Sequence, residues 1–411
     1  MFETLMGPNV VTKMLFFIAA LIVTAEFVAT VFTIFYQRYI YDRYMRPKFS
    51  DSYNPRCTVI VPCKGVPKDL GRNLMGFLEL EYNNYEVIFV VEKESDKAVP
   101  YIKAITEKDK RAKLVVAGLS TRCAQKNHNM IAGLRKADES NVYVFADSDI
   151  KPDPTWLKEL ILPLADEKVT VTSGFRWLNP PEGSLGELTH SYVNIFIYVS
   201  FSAACFFGGV GLWGGSMAIR KKDFDELGVE EKWSKAAVDD MSLSHLVFKG
   251  SKKAVVVPSC ITQTDDLLKT VGGSVSWFER QIMFLKAYQR KLWFFPTLPM
   301  AVSVLILIFL LPVALLGSVL SPSYSFTDLG GGAALVFYLG QALSATLYPF
   351  LGKMTRFYKF ILFQPFMRLT HIISYFRTFM TNTIVWSGIR YNLSKSGDVD
   401  SLEHIAQESN I

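Results

Sequence analysis

Three long apolar stretches constrain this chain more than any other feature of its sequence. Residues 14–36 carry one charge, Glu26, and residues 298–320 and 330–352 carry none. Each reaches the roughly 20 apolar residues that a helix needs to cross a bilayer. Backbone polar groups in that core must be satisfied within the segment, so helices are expected. Aromatic residues crowd the ends of these stretches, as interfacial anchors do. Val23-Thr24-Ala25 resembles a leader cleavage site, but the apolar run continues to Tyr36 and Lys13 is the only basic residue before it. An uncleaved anchor is the expectation.

Basic residues set the orientation. Arg38, Arg43, Arg46 and Lys48 follow the first stretch; Lys286, Arg290 and Lys291 precede the second; Lys353, Arg356 and Lys359 follow the third. The short loop 321–329 carries no basic residue. All basic flanks then share one compartment, the cytoplasm, with residues 47–293. The expected organisation is an anchor at 1–46, a cytoplasmic domain at 47–293, a membrane block at 294–385 and a cytoplasmic tail at 386–411. Two further apolar segments, 192–208 and 360–380, are interrupted by polar or basic residues and read as interfacial helices.

The formal net charge of +6 suits anionic headgroups at this membrane surface. No basic stripe with interleaved aromatics stands out, so nucleic acid is not an expected partner. The five cysteines and five histidines show neither C-x-x-C nor H-x-x-x-H spacing, which leaves zinc without support.

Between the spans, apolar runs at 58–61, 86–91, 114–117, 142–146 and 169–173 alternate with helical stretches such as 97–107 and 124–137. That alternation predicts a doubly wound α/β domain with a mostly parallel, Rossmann-like sheet. The turn Pro62-Cys63-Lys64-Gly65 after the first run lacks G-x-G-x-x-G, which disfavours a dinucleotide dehydrogenase.

Chemistry-bearing residues gather at the ends of these runs. Asp147-Ser148-Asp149 closes the fourth run, where open α/β sheets bind ligands, and its two carboxylates can share a divalent cation. Glu92 closes the second run and could accept hydrogen bonds from a nucleoside. Gln125-Lys126-Asn127 opens a helix, a place suited to a diphosphate. Gly214-Gly215-Ser216 allows a close backbone approach before the strand at 217–220. Asp239 and Asp240 head another helical run, where one carboxylate could act as a general base. Each piece alone also has a structural explanation, as an acidic helix cap, a solvated loop or a simple turn.

Together, these motifs occur in the order used by inverting GT-A glycosyltransferases. The whole chain resembles the ceramide glucosyltransferase family and its bacterial relatives, including Trp386-Ser387-Gly388-Ile389-Arg390-Tyr391 near the C-terminus. The resemblance implies a GT-A domain attached to transmembrane helices and a metal-dependent hexosyltransferase. It assigns Glu92 to the nucleoside and Lys126 to the diphosphate. Asp147 and Asp149 would hold the nucleotide and Mg²⁺ or Mn²⁺, with Gly215 and Ser216 beside the substrate. Asp240 is the implied base, oriented by Asp239. The donor is a UDP-sugar, with glucose expected, and the acceptor is a lipid hydroxyl such as that of ceramide.

The chain departs from the family's Q/R-x-x-R-W motif, which reads Arg280-Gln281-Ile282-Met283-Phe284 here. Arg280 and Gln281 stay as substrate-binding candidates, and Lys286 is the expected substitute for the missing arginine. A processive polysaccharide synthase, a polyprenyl-phosphate sugar transferase and a catalytically silent nucleotide-sugar-binding protein remain alternatives.

Overall fold

Strands β1 (Cys57–Pro62), β2 (Tyr85–Val91), β3 (Ala112–Val116) and β4 (Val142–Ala146) lie parallel in the spatial order β3-β2-β1-β4. Every residue of β2 and β4 is buried, as near-continuous apolar strands require when helices cover both faces. The computed structural model describes residues 10–45, 53–206, 211–294, 297–320, 325–347 and 357–405. Beyond β4 come β5 (Val169–Leu178), β6 (Ser216–Arg220) and β7 (Lys253–Thr264), completing the order β3-β2-β1-β4-β6-β5-β7. Strand β6 is antiparallel to both neighbours, whereas β5 and β7 are parallel. The sheet is therefore mostly parallel, as expected, with one reversed strand in its middle.

The order reverses between β1 and β4, because the chain runs outward to β3 before returning to β4. That switch point opens a crevice at the carboxyl ends of the strands. The Gln125–Leu134 helix covers β1 and β2 beside it. Gly133 lets the helix approach closely: an added Cβ would lie 2.9 Å from Val90 and 3.1 Å from Ile60.

Among the described residues two helices are long and apolar enough to cross a membrane, Val10–Met45 and Arg290–Leu320. The Val10–Ile40 portion of the first alone spans about 46 Å at 1.5 Å per residue, against about 30 Å of hydrocarbon. Gly331–Thr346 packs along it, and a Cβ on Gly340 would collide with Val23. Small residues admit such close helix approach in a bilayer. Residues 348–352, the end of the expected third span, lie outside the described residues.

The 192–208 segment forms the Val193–Phe206 helix, packed on β5, β7 and the first apolar helix. The 360–380 segment divides into Phe357–Leu362 and Gln364–Arg377, and the second part lies along the Val271–Tyr288 helix. The lone charge of the first stretch finds its partner there. Both terminal nitrogens of Arg368 donate to Glu26 at 3.0 Å, and Gln341 donates to the same carboxylate.

Where the sequence suggests a cytoplasmic tail, the chain folds into a three-stranded antiparallel sheet: β8 (Thr383–Trp386), β9 (Ile389–Leu393) and β10 (Val399–His404). Its first turn places Ser387 and Gly388 at φ 50° and 78°, the geometry of a two-residue hairpin.

The helix–sheet contact at Gly133 is directly testable. Gly133→Val should lower stability by about 1–3 kcal/mol, the usual range for overpacking. A denaturation midpoint equal to wild type would mean that this helix is not seated against β1 and β2.

Candidate active site

The carboxyl ends of β1, β2 and β4 and the start of the reversed β6 meet at one edge of the sheet. Because β6 runs backwards, the glycines preceding it lie beside the acids that follow β4. The amide of Asp147 donates to Gly215 O at 3.3 Å. A Cβ on Gly215 would stand 2.6 Å from Asp147 Oδ2 and collide with Trp213; one on Gly214 would collide with Asp239. Glycine is required at both positions because the carboxylates fill the space.

Lys126, in the first turn of its helix, ties this edge together. Its Nζ lies 2.8 Å from Asp147 Oδ1 and 3.1 Å from Asp239 Oδ2, and donates to Gly214 O at 3.2 Å. Burial opposes its charge, but Asp147 and Asp239 outweigh burial and push its pKa up. Burial likewise opposes the Asp147 carboxylate, yet Lys126 and Arg176 hold its pKa below the usual value. Asp240 behaves differently. Burial first, and the neighbouring Asp239 charge second, push its pKa up to about 7. Its oxygens accept from the amides of Gly214 at 2.9 Å and Met241 at 2.6 Å. One acid of the group is thus poised to exchange a proton near neutrality.

Arg176, which sequence patterning does not single out, lies across the Asp147–Asp149 pair. It donates to Asp149 Oδ1 at 2.5 Å and Oδ2 at 2.9 Å, and to Asp147 Oδ2 at 3.4 Å. Its guanidinium stacks over Trp213 at 5.1 Å. Asp147, Asp149, Asp239 and Asp240 therefore face two cations, and the cluster is acidic overall when all are ionised. Among the described residues no three His, Cys, Asp or Glu side chains form a metal cage. Asp147 and Asp149 still fit a hard divalent cation, which keeps water and phosphate oxygens as its other ligands. A cation already satisfies the place where they converge.

Glu92 is buried at the end of β2 and accepts from Lys64 Nζ at 3.0 Å. The same ammonium donates to Ser387 O at 3.1 Å, so the β8–β9 turn closes over the Glu92 end of the site. The amide of Gln125 donates to Tyr391 Oη at 3.3 Å, adding β9 to that wall. Ser216 lies deeper: it is fully buried, and its Oγ accepts from Trp156 Nε1 at 2.9 Å.

The Val271–Tyr288 helix carries Arg280 and a half-buried Gln281. Arg280 stacks over Trp386 at 5.6 Å, and burial lowers its pKa to about 10, leaving it charged at neutral pH. Lys286 is turned elsewhere. It donates to the carbonyls of Thr378 at 2.6 Å and Thr381 at 2.8 Å, and no contact joins it to the aspartates.

Residues 21–399 match glycosyl transferase family 21. The chain belongs to that family. This glycosyltransferase is 23% identical over 237 residues to ceramide glucosyltransferase 1 of Caenorhabditis elegans. That alignment covers 57% of the chain and 50% of the relative, so the chain spans about half the length of the curated protein it matches. The mannosyltransferase PcManGT of Pyrobaculum calidifontis, solved with GDP-Man and Mn²⁺, superposes with a TM-score of 0.51. It shares 16% identity, with 89% of this chain and 99% of that one covered, a likeness of fold. The expected GT-A architecture and ceramide glucosyltransferase-like membership both hold.

In this glycosyltransferase, Gly215→Ala should lower transfer activity about tenfold or more, since the methyl group must displace Trp213 or Asp147. Transfer from a panel of nucleotide sugars reads the effect. Activity equal to wild type would mean that this loop lies away from the reacting groups.

Proposed function

We propose that this glycosyltransferase moves a hexose, glucose from UDP-glucose in the first instance, onto a hydroxyl of a membrane lipid such as ceramide. The observation that carries the reading is the cluster in which Lys126 bridges Asp147 and Asp239 beside the Asp240 carboxylate. That carboxylate accepts from the Gly214 amide, and burial and Asp239 push its pKa up to about 7. The likeness to ceramide glucosyltransferase 1 and the two long apolar helices support the lipid acceptor.

In this scheme the acceptor hydroxyl oxygen attacks the anomeric carbon and its proton passes to Asp240. The bond from that carbon to the diphosphate breaks on the opposite face, so one displacement inverts the centre. Asp239 holds Lys126, and Lys126 with Arg280 offsets charge on the departing diphosphate. Glu92, tied to Lys64, orients the nucleoside. Asp147 and Asp149 would hold Mg²⁺ or Mn²⁺, whose Lewis acidity would stabilise the same leaving group.

Incubating membranes with a panel of UDP-sugars and total lipid extract, followed by mass spectrometry, tests donor and acceptor together. Release of free sugar without any glycolipid would overturn the reading. Asp240→Asn should lower kcat by about 10²–10⁴-fold with donor affinity retained, the range for losing a general base. Wild-type transfer by that variant would assign the base elsewhere.

Asp240 works as its carboxylate, so kcat should fall as pH drops through about 7, where the carboxylate becomes protonated. Removing the Asp239 charge in Asp239→Asn favours the ionised form of Asp240. The acidic limb of its pH–rate profile should therefore move to lower pH. A limb that stays fixed or moves upward would count against the assignment.

On this reading a divalent cation would compete with Arg176 for the Asp147–Asp149 pair. Arg176→Gln should therefore tighten Mn²⁺ binding about tenfold or more, read by electron paramagnetic resonance without substrate. Equal or weaker binding would show that the two cations do not compete.

A further inference from the structure

A second cavity, of about 1050 Å³, lies where the Val271–Tyr288 helix gives way to the apolar Arg290–Leu320 helix. Its position on the chain is close to the active site but its lining is separate. Met283 and Ala287 on its wall are one to two turns beyond Arg280, about 5–10 Å along the helix. None of the Asp147, Asp149, Asp239, Asp240 or Lys126 side chains lines it.

Among the described residues four cations line this space, Lys286, Arg290, Lys291 and Lys395, and no aspartate or glutamate does. Burial, and then the like charge of Arg290, lower the pKa of Lys286, as expected where cations crowd without a carboxylate. Arg290, Lys291 and Lys395 are exposed and free to turn inward. The other wall is apolar: Trp293 and Phe379 pack with ring centroids 4.4 Å apart. Next to them Phe294 and Met380 stand 60% and 89% exposed at the foot of the candidate span. Large apolar side chains so exposed beside a basic cluster, at the end of a membrane-length helix, match the boundary between headgroups and acyl chains.

We infer that this cavity binds the headgroup of an anionic phospholipid, its phosphate against Arg290, Lys291 and Lys395 and its acyl chains along Phe379 and Met380. The inference rests on the membrane placement of the Arg290–Leu320 helix and goes beyond the transfer reaction. A neutral lipid acceptor offering a hydroxyl would leave Arg290, Lys291 and Lys395 unmatched, whereas a phosphodiester with a net negative charge matches them; Lys286 is already held by the Thr378 and Thr381 carbonyls. The cavity also borders the seat of the β8–β10 sheet through Met283 and Leu393, so the bound lipid braces the wall that Tyr391 presents to Gln125.

The test uses the full chain in a neutral detergent. It is titrated with dihexanoyl phosphatidylglycerol, dihexanoyl phosphatidylcholine and glycerol 3-phosphate, with binding read by calorimetry and melting temperature. The anionic lipid should bind about tenfold or more tighter than either of the others, as several basic residues facing one phosphate imply. In Arg290→Gln/Lys291→Gln/Lys395→Gln that preference should shrink to within about twofold. The lipid-free melting temperature and UDP-glucose affinity should be those of wild type, because the three side chains are exposed and outside the active site. Lys395→Gln alone should give an intermediate preference.

Equal binding of the zwitterionic lipid would overturn the inference, as would glycerol 3-phosphate binding as tightly as the lipid, which marks a soluble-anion site. Retention of the preference by the triple variant would also overturn it. Lipid binding is read here without donor or acceptor, so it stands or falls separately from the proposed transfer activity.

Discussion

The ammonium of Lys126 is the joint on which the site depends. It meets the end of β4 through Asp147, the loop before β6 through Gly214, and the helix start at Asp239–Asp240 through Asp239. These segments are far apart in sequence, and two of them bring carboxylates into a poorly solvated crevice. Carboxylates gathered there without a cation would repel one another and lose hydration, a penalty of several kcal/mol per ion. Lys126 and Arg176 offset it for Asp147 and Asp239, and Arg176 also pairs the part-exposed Asp149, but among the described residues neither makes an ion pair with Asp240. The same arrangement therefore keeps the pKa of one acid low and raises that of another. Division of labour among similar groups follows from which of them a cation touches.

Glu92, Asp147 and Asp149 were legible because they follow apolar runs, where a polar side chain cannot belong to the strand core, and Lys126, Asp239 and Asp240 because they open helical stretches. What brings them together was not. The reversal of β6 is set by tertiary pairing, and no local pattern in 216–220 reports its direction. Arg176 was hidden for a related reason. The pairing of β5 with β7 slips between Ser173 and Phe175, where Gly174 leaves room for Cys260 O, and then resumes to Leu178. A strand expected to stop at 173 instead carries an arginine into the crevice. Lys286 illustrates the opposite error. Helix spacing places it near Arg280, but carbonyls left open after the Gln364–Arg377 helix draw its ammonium away.

Met283 and Phe284 gain a different meaning in the fold. Where the family pattern has arginine and tryptophan, these two side chains are buried at 2% and 4% exposure. They pack with Ile384, Ile389, Tyr391 and Leu393 of the β8–β10 sheet. Tyr288 on the same helix donates to Gly397 O at 2.5 Å, fixing the far turn of that sheet. The motif change and the folded C-terminal segment are thus two sides of one interface. An apolar seat stands where the resemblance implies a cation, and the segment resting on it contributes Trp386, Ser387 and Tyr391 to the wall of the site. Arg280, beneath Trp386, keeps a guanidinium on that helix.

The lone charge of the first apolar stretch completes the connection between membrane and chemistry. An ionised side chain in such a helix is costly unless it is paired. Glu26 is paired by both terminal nitrogens of Arg368, a geometry that restricts rotation as well as separation. The helix bearing Arg368 lies along the helix bearing Arg280. The Ser374 hydroxyl on that helix donates to Val275 O at 3.0 Å, which adds a fixed point between the two. Position therefore passes from the N-terminal apolar helix to the active-site helix through directional bonds rather than apolar contact alone. On the proposed reading, a lipid acceptor has to meet its donor at a set height above the bilayer, and apolar helices can slide along one another at little energetic cost. A charged pair with fixed geometry resists that sliding, which gives Glu26 a physical reason to occupy an otherwise apolar span.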